Sequence, residues 1–309
     1  MIIKRHKQLK RWLAVYLAAA LCPPATAQDL EPRRWTPLPL ATKVIGMGYG
    51  YTTGDLFFDP VLQVEDAQLD LDTLALSYVQ SFAVLGKPVR FDLLLPWQTA
   101  RWDGRLAGQP TSVERVGLAD PWLRLSTNLI GDPALRGGEF AAKMAAQPVR
   151  TVVGAALSVT VPVGEYLDEK LLNLGQNRYI IRPQIGVLHS RGPWSFEFTG
   201  SIFFYTDNND FFGGVTREQD PLYALQTHVV RVFKPGLWAS FGAGYGWGGR
   251  SKINGEDKDD ERGDVLLALS LGVPLSRAQG LKFAYVRGEA GSDVGADTDT
   301  LTLAWSMRF

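Results

Sequence analysis

The residues best suited to chemistry recur at a spacing of two: Arg90 with Asp92, Arg182 with Gln184, and Gln226 with His228. Arg124, Asn128, Arg178, Glu197 and Arg308 share the polar parity of their own segments. In an extended strand, residues two apart lie on one face. The set therefore describes a wall of charges and amides in which guanidinium outnumbers carboxylate. Lining a wet passage, such a wall favours anionic or polarisable solutes. Packed together, it is a salt-bridge and hydrogen-bond network that stiffens an interior. Both readings stay open at this level.

Catalysis finds less support. His189 and His228 are the histidines beyond His6, and no G-x-S-x-G elbow or spaced triad accompanies either. Without an H-E-x-x-H or H-x-x-E-H arrangement they form no metal-ligand set. The acidic runs Asp207 to Asp210 and Glu256 to Glu261 miss the EF-hand spacing and read as solvated loops. No cofactor is implied. Gly242, Gly244, Gly246 and Gly248 do not make a dinucleotide loop, because no phosphate-binding helix pattern follows them.

Composition narrows the classes further. The 309 residues carry 32 basic and 32 acidic side chains and are 46% hydrophobic, which argues against a disordered or nucleic-acid-binding chain. Residues 1 to 27 have a basic head through Arg11, an apolar stretch from Trp12 to Cys22 and an A-x-A site at Ala25 to Ala27. This predicts a cleaved secretory signal and a mature start at Gln28. Losing its five basic residues leaves 27 basic against 32 acidic, a net charge of −5. Cys22 is the sole cysteine, so the exported chain has no disulfide, thiolate zinc site or cysteine nucleophile.

The elements that must position the polar wall are strands. From about residue 41 onward the apolar residues alternate with period two. In the last segment Leu301, Leu303, Trp305, Met307 and Phe309 share one face, and Thr300, Thr302, Ala304, Ser306 and Arg308 share the other. Twelve strands are predicted, near 41–53, 68–84, 88–98, 118–129, 149–163, 177–189, 193–205, 221–233, 237–249, 264–275, 280–289 and 298–309. Short turns alternate with longer, polar connections such as 54–67, 98–117, 164–176, 206–220 and 250–263. Residues 131–147 are the exception, long on the short-turn side, with room for a small helix or two further strands.

Short turns, long loops and an even strand count are what a transmembrane β-barrel requires. The fold class is therefore all-β, a transmembrane antiparallel up-and-down barrel of about twelve strands over residues 41–309, preceded by a Pro-rich periplasmic segment at 28–40. Trp97, Trp122, Tyr179, Trp194, Trp238, Trp247, Trp305 and Phe309 are candidates for the interfacial girdles. Gly46, Gly48 and Gly50, with the glycines from 242 to 248, fall on the inner face. They leave room for solute, let an inserted loop or the Glu31 to Pro39 tail lie against the wall, or permit coiling of the sheet. Twelve strands give a narrow interior that a loop or this tail can plug.

Several motifs carry a family resemblance. These are Arg34-Trp35-Thr36-Pro37-Leu38-Pro39, Gly54-Asp55-Leu56-Phe57-Phe58-Asp59-Pro60, and Asn128-Leu129-Ile130-Gly131-Asp132-Pro133-Ala134-Leu135. Val161-Pro162-Val163-Gly164-Glu165-Tyr166, Asn173-Leu174-Gly175-Gln176-Asn177-Arg178-Tyr179, Gly192-Pro193-Trp194 and Gln219-Asp220-Pro221-Leu222 extend it over nearly all of the mature chain. On these the sequence resembles the outer-membrane β-barrel family of the meta-pathway of phenol degradation, whose members are called transporter-like proteins. Tyr179 stands where a tryptophan is expected. The resemblance implies a bacterial outer-membrane location and passage of small, aromatic or otherwise hydrophobic compounds, and it transfers no catalytic residue.

The expectation is a passive channel and not an enzyme. Two alternatives remain: a non-conducting structural or interaction barrel, and a membrane-embedded lipid hydrolase using His228. The expected partners are outer-membrane lipid and lipopolysaccharide, an unidentified small solute, and the barrel-assembly machinery through a last strand ending in Phe309.

Overall fold

The computed structural model describes residues 30–309. The expected signal and its cleavage site lie outside the described residues. Five strands and a helix make up the first half: β1 (Lys43–Phe57), β2 (Val64–Val84), β3 (Lys87–Leu106), β4 (Gln109–Leu118), β5 (Trp122–Ile130) and α1 (Gly137–Ala146). Next come β6 (Val149–Thr160), β7 (Ile180–Arg191), β8 (Trp194–Tyr205), β9 (Asn208–Phe211) and β10 (Val215–Gln219). The chain finishes with β11 (Leu222–Lys234), β12 (Leu237–Gly248), β13 (Ser251–Ile253), β14 (Glu256–Asp257), β15 (Arg262–Pro274), β16 (Gln279–Glu289) and β17 (Gly295–Arg308).

The large sheet is antiparallel throughout and closes on itself, because β1 pairs with β17 and β2 pairs with β3. β4 and β5 are one interrupted strand: both run antiparallel to β3, β5 along Val89 to Leu94 and β4 along Trp97 to Leu106. Counting them together gives a closed barrel of twelve strands. The interruption is Ala119-Asp120-Pro121, where proline cannot donate to the ladder.

The faces are the reverse of those in a water-soluble sheet. Inward residues are polar and buried: Arg124 is 1% exposed and Glu197 3%. Outward residues are greasy and open, with Leu269 and Ile185 each 56% exposed and Phe198 50%. In water this inversion would be prohibitive; in hydrocarbon it is required. Short turns set the register on one side. At β2–β3 both turn residues have positive φ, 49° at Leu85 and 76° at Gly86, the I′-like turn that suits strand twist and favours glycine second.

Three boundaries differ from the sequence expectation. Residues 98–117 are not a loop: β3 and β4 continue past the belt and meet at Ala107-Gly108, again with positive φ. Residues 206–220 and 250–263 contain a separate four-stranded sheet of β9, β10, β13 and β14 above the barrel. These strands are 2 to 5 residues long, too short for alternation to show. The long connection on the turn side holds α1 and no further strands.

The girdle assignment also needs correcting. Trp97, Tyr179 and Trp194 are exposed, and Trp247 stacks between Tyr223 and Tyr245 with centroids 5.6 and 5.7 Å away. Trp238 and Trp122 instead face inward, beneath the guanidinium groups of Arg33 and Arg34 at 5.3 and 5.4 Å. Trp238 shares the parity of Ser240 and Gly242, and a Cβ on Gly272 would meet its indole.

An arginine placed at the outward midpoint of β15 would sit in hydrocarbon. Leu269→Arg is expected to lower the free energy of unfolding by about 2–4 kcal/mol, read by urea titration in lipid vesicles. No loss would mean that this face does not contact lipid.

Candidate functional site

The barrel interior has two unlike walls. On β3, β5, β7, β8 and β11 the inward side chains include long polar ones that pack together, whereas β6 and β12 contribute mostly small residues, several of them glycine. Arg124 donates through Nε to Gln184 at 2.9 Å and through Nη1 to Ser126 at 3.3 Å, and its Nη1 lies 3.5 Å from Asp92. Arg90 donates to Asp92 at 2.8 Å. Arg182 and Gln184 both donate to the Ser201 hydroxyl at 3.3 Å. Higher up, Arg178 donates to Gln176 and Gln219. Each guanidinium also covers a ring: Arg124 over Trp35, Arg182 over Phe203 and Arg178 over Tyr205, at 4.4 to 4.9 Å. Such pairing stabilises a desolvated cation.

This network gathers most of the candidates read from sequence. Arg90, Asp92, Arg124, Arg178, Arg182, Gln184, Glu197, Gln226 and His228 face the interior, and Asn128 lines a cleft at its turn-side end. Arg308 does not join them. It is exposed at the rim, where it donates to the Arg277 carbonyl at 3.2 Å. His228 is 3% exposed and faces inward, opposite Glu197 and Gly242 in the ladders, so it cannot act on the lipid-facing surface. His189 lies near the turn-side rim against Thr151 at 2.9 Å.

A segment before β1 fills part of the remaining space. Residues 30–42 lie inside the turn-side half of the lumen and run down toward the turns. Arg33 N–H donates to Glu197 at 2.9 Å, and Trp35 Nε1 donates to the Thr199 hydroxyl at 2.8 Å. The indole lies on Gly154 and Gly186, which oppose each other across β6 and β7. Leu30 touches the wall near Gly244. Glu31 accepts from Lys282 at 2.8 Å and from Arg34 at 3.1 Å. Burial pushes the Glu31 carboxyl up, but Lys282, Arg34 and Arg90 outweigh this and hold it well below the usual carboxylate range.

The opposite wall is different in kind. From β16 through β17 and β1 to β2 the inward positions are small: Ala284, Gly288, Thr300, Thr302, Ala304, Gly46, Gly48, Gly50, Thr73, Ala75 and Ser77 among them. Most stay half-exposed while their outward neighbours carry the apolar bulk. A Cβ built on Gly50 meets nothing closer than 3.7 Å. This wall borders open space.

The loop end is capped by residues 161–179. Asp120, at the strand interruption, accepts from Gly164 N–H at 2.9 Å and Gln176 N–H at 2.7 Å. That anchor lets the loop turn inward, packing Leu172 and Leu174 against Leu56, Leu69, Ala100 and Trp102. Its other side meets the small sheet, with Leu171 against Phe211, Val215 and Ile253. Among the described residues no group of three or more His, Cys, Asp or Glu is placed to hold a metal ion. The acidic loop is taken up locally instead: Glu261 pairs with Arg250, Asp257 with Lys252 and Glu256 with Lys258.

Sequence reading missed Trp35, Glu31, Lys282, Asp120, Gly154 and Gly186 as individual site residues. The inward parity of the two glycines was visible, but nothing local pairs them with a tryptophan more than a hundred positions away.

A family model described as the putative MetA-pathway of phenol degradation matches residues 53–309. Among solved structures the chain is similar to the COG4313 outer membrane channel from Pseudomonas putida F1, with 22% identity, a TM-score of 0.75, and coverage of 91% of this chain and 100% of that one. Looser overlaps include the transport unit of the autotransporter AIDA-I from Escherichia coli, with 6% identity, a TM-score of 0.49 and coverage of 96% and 97%. The CymD monoaromatic hydrocarbon channel overlaps with 10% identity, a TM-score of 0.45 and 94% coverage of each chain. No curated protein matches the sequence.

The clamp on the inserted segment makes a prediction with a definite pH sign. A carboxyl held below its ordinary value contributes stability above that value and loses it only as pH falls through the lowered one. The Glu31 carboxyl is therefore expected to stay ionised at about pH 5, read as an unchanged carboxylate carbon shift. Glu31 keeps 43% of its side chain exposed, so its ion pairs are partly screened. Glu31→Gln is expected to weaken amide-exchange protection of residues 30–38 by about 1 kcal/mol at neutral pH. A Glu31 side chain that takes up its proton near pH 5 would contradict the clamp.

Proposed function

The chain belongs to the family described as the putative MetA-pathway of phenol degradation, and on that premise we propose that it is an outer-membrane barrel serving as a narrow, energy-independent channel for small molecules. The observation that carries this reading is the inner wall of β16, β17, β1 and β2, mostly half-exposed and built largely from glycine, alanine, serine and threonine. A barrel meant only to be filled would carry long side chains here too, as Arg124, Arg182, Gln184, Glu197 and Gln226 do on the facing arc. The fold likeness to a solved outer membrane channel supports the same reading.

The two caps and the packed arginine wall narrow the route, so solutes are small. The small-residue wall offers hydroxyls and methyl groups in place of charges, which suits neutral or amphipathic molecules, including aromatic ones. Lys282 and Arg90, 30% and 25% exposed in their side chains, bias the turn-side mouth toward anions. Lipid and lipopolysaccharide surround the barrel in this account. Phe309, exposed at the β1–β17 seam with its N–H donating to Lys43 at 3.0 Å, is the handle for assembly into the membrane.

A bulky residue on the open wall tests the route. Gly50→Trp has space for its Cβ and is expected to cut small-solute flux into proteoliposomes by roughly five-fold or more, while the barrel still migrates as a heat-modifiable band. Thr302→Glu on the same wall should move the reversal potential in bilayer recordings toward cations. If wild type admits no solute and carries no current, the non-conducting reading replaces this one.

A further inference from the structure

The seat of Trp35 is more elaborate than a tail lying against a wall would need. Two glycines in register, Gly154 and Gly186, form a flat floor: a Cβ on either would lie 2.4 or 2.0 Å from the indole ring. Val152, Ala156 and Leu188 close around it, and Trp35 is 4% exposed. The Arg124 guanidinium covers the open face at 4.9 Å, and Thr199 Oγ1 accepts the ring N–H at 2.8 Å. A flat slot, a cation over the ring and one acceptor at its edge together specify a planar aromatic carrying one N–H or O–H donor.

Two further observations bear on release. Up to Leu38 the occupant's segment is held by the Arg33 N–H bond to Glu197, the partly exposed Glu31 clamp and the Arg33 and Arg34 contacts with Trp238 and Trp122, and from Pro39 onward it is bonded to Ser81 and Leu135. A small cleft of about 40 Å³ runs beside the indole, lined by Arg34 to Leu38, Pro88 to Arg90 and Ser126 to Asn128. It marks the turn-side edge of the slot as the place where the packing around the indole is loosest.

We propose that the Gly154–Gly186 slot is a binding site for small aromatic molecules bearing one ring donor, and that Trp35 occupies it as a built-in competitor. A solute that takes the slot releases residues 30–38 and widens the lumen. The slot itself does not depend on the channel reading; the widening rests on it. Because the competitor is tethered at high effective concentration, wild type binds such solutes weakly, and removing Trp35 strengthens binding.

Indole is the probe, measured by equilibrium dialysis against the full-length mature barrel in nanodiscs. Trp35→Gly is expected to bind one equivalent saturably and at least about ten-fold more tightly than wild type. 1-Methylindole, which lacks the donor, should bind about five-fold more weakly to the same variant. Adding Gly186→Leu should abolish binding; Gly154→Leu serves if that double variant does not fold. Equal affinity in wild type and Trp35→Gly, or binding indifferent to both leucines and to the N-methyl group, overturns the site. In parallel bilayer recordings, indole should raise wild-type conductance. Current that indole leaves unchanged overturns the gating clause alone, and the absence of current in every variant overturns the channel reading while the binding result still decides the slot.

Discussion

Hydrocarbon offers no partner to a backbone N–H or C=O, and the rest of the structure follows from that. A sheet that crosses a bilayer must close so that no edge is left unpaired. Here closure runs through the β1–β17 and β2–β3 ladders. Closure separates the two sides of every strand for good: one side meets acyl chains, the other an enclosed space. Alternation then assigns Leu, Phe, Ile and Tyr outward and frees the inward positions for polar chemistry. Arg124 and Glu197 can be almost fully buried because they face one another's network and not lipid.

The enclosed space is divided unequally. One arc of the barrel carries inward arginines braced by aromatic rings and amides; on the other most inward residues are small. The first arc carries the inserted segment, while the second keeps most of its inward residues half-exposed. The strand interruption at Asp120 serves the same plan at the loop end, because its carboxylate ties down a loop that covers part of the mouth.

Much of this was legible in the sequence because strand periodicity is local. The Leu301 to Phe309 alternation, the two-residue spacing of Arg182 and Gln184, and the short turns fix strands and faces without knowledge of their neighbours. Trp238 could have been placed inward by the same parity, had its type not suggested a girdle. Contacts across the lumen were not legible. Trp35 and Thr199 are 164 positions apart, and only the closed barrel brings them together. The small upper sheet escaped because its strands are too short to show a period, and residues 98–117 read as a loop because their outward face is charged above the belt.

The central claim is that greasy sides face lipid and their partners enclose a wet interior. Residues 30–309 contain no cysteine, so single cysteines along β15 can be read without background in reconstituted vesicles. Spin-labelled before reconstitution, Leu267→Cys, Leu269→Cys and Leu271→Cys should be relaxed by dissolved oxygen, which concentrates in hydrocarbon, and little affected by a water-soluble nickel chelate. Ala268→Cys and Ser270→Cys should show lower oxygen accessibility than their outward neighbours. Oxygen accessibility without this two-residue alternation, or nickel accessibility highest at the leucine positions, would contradict the account.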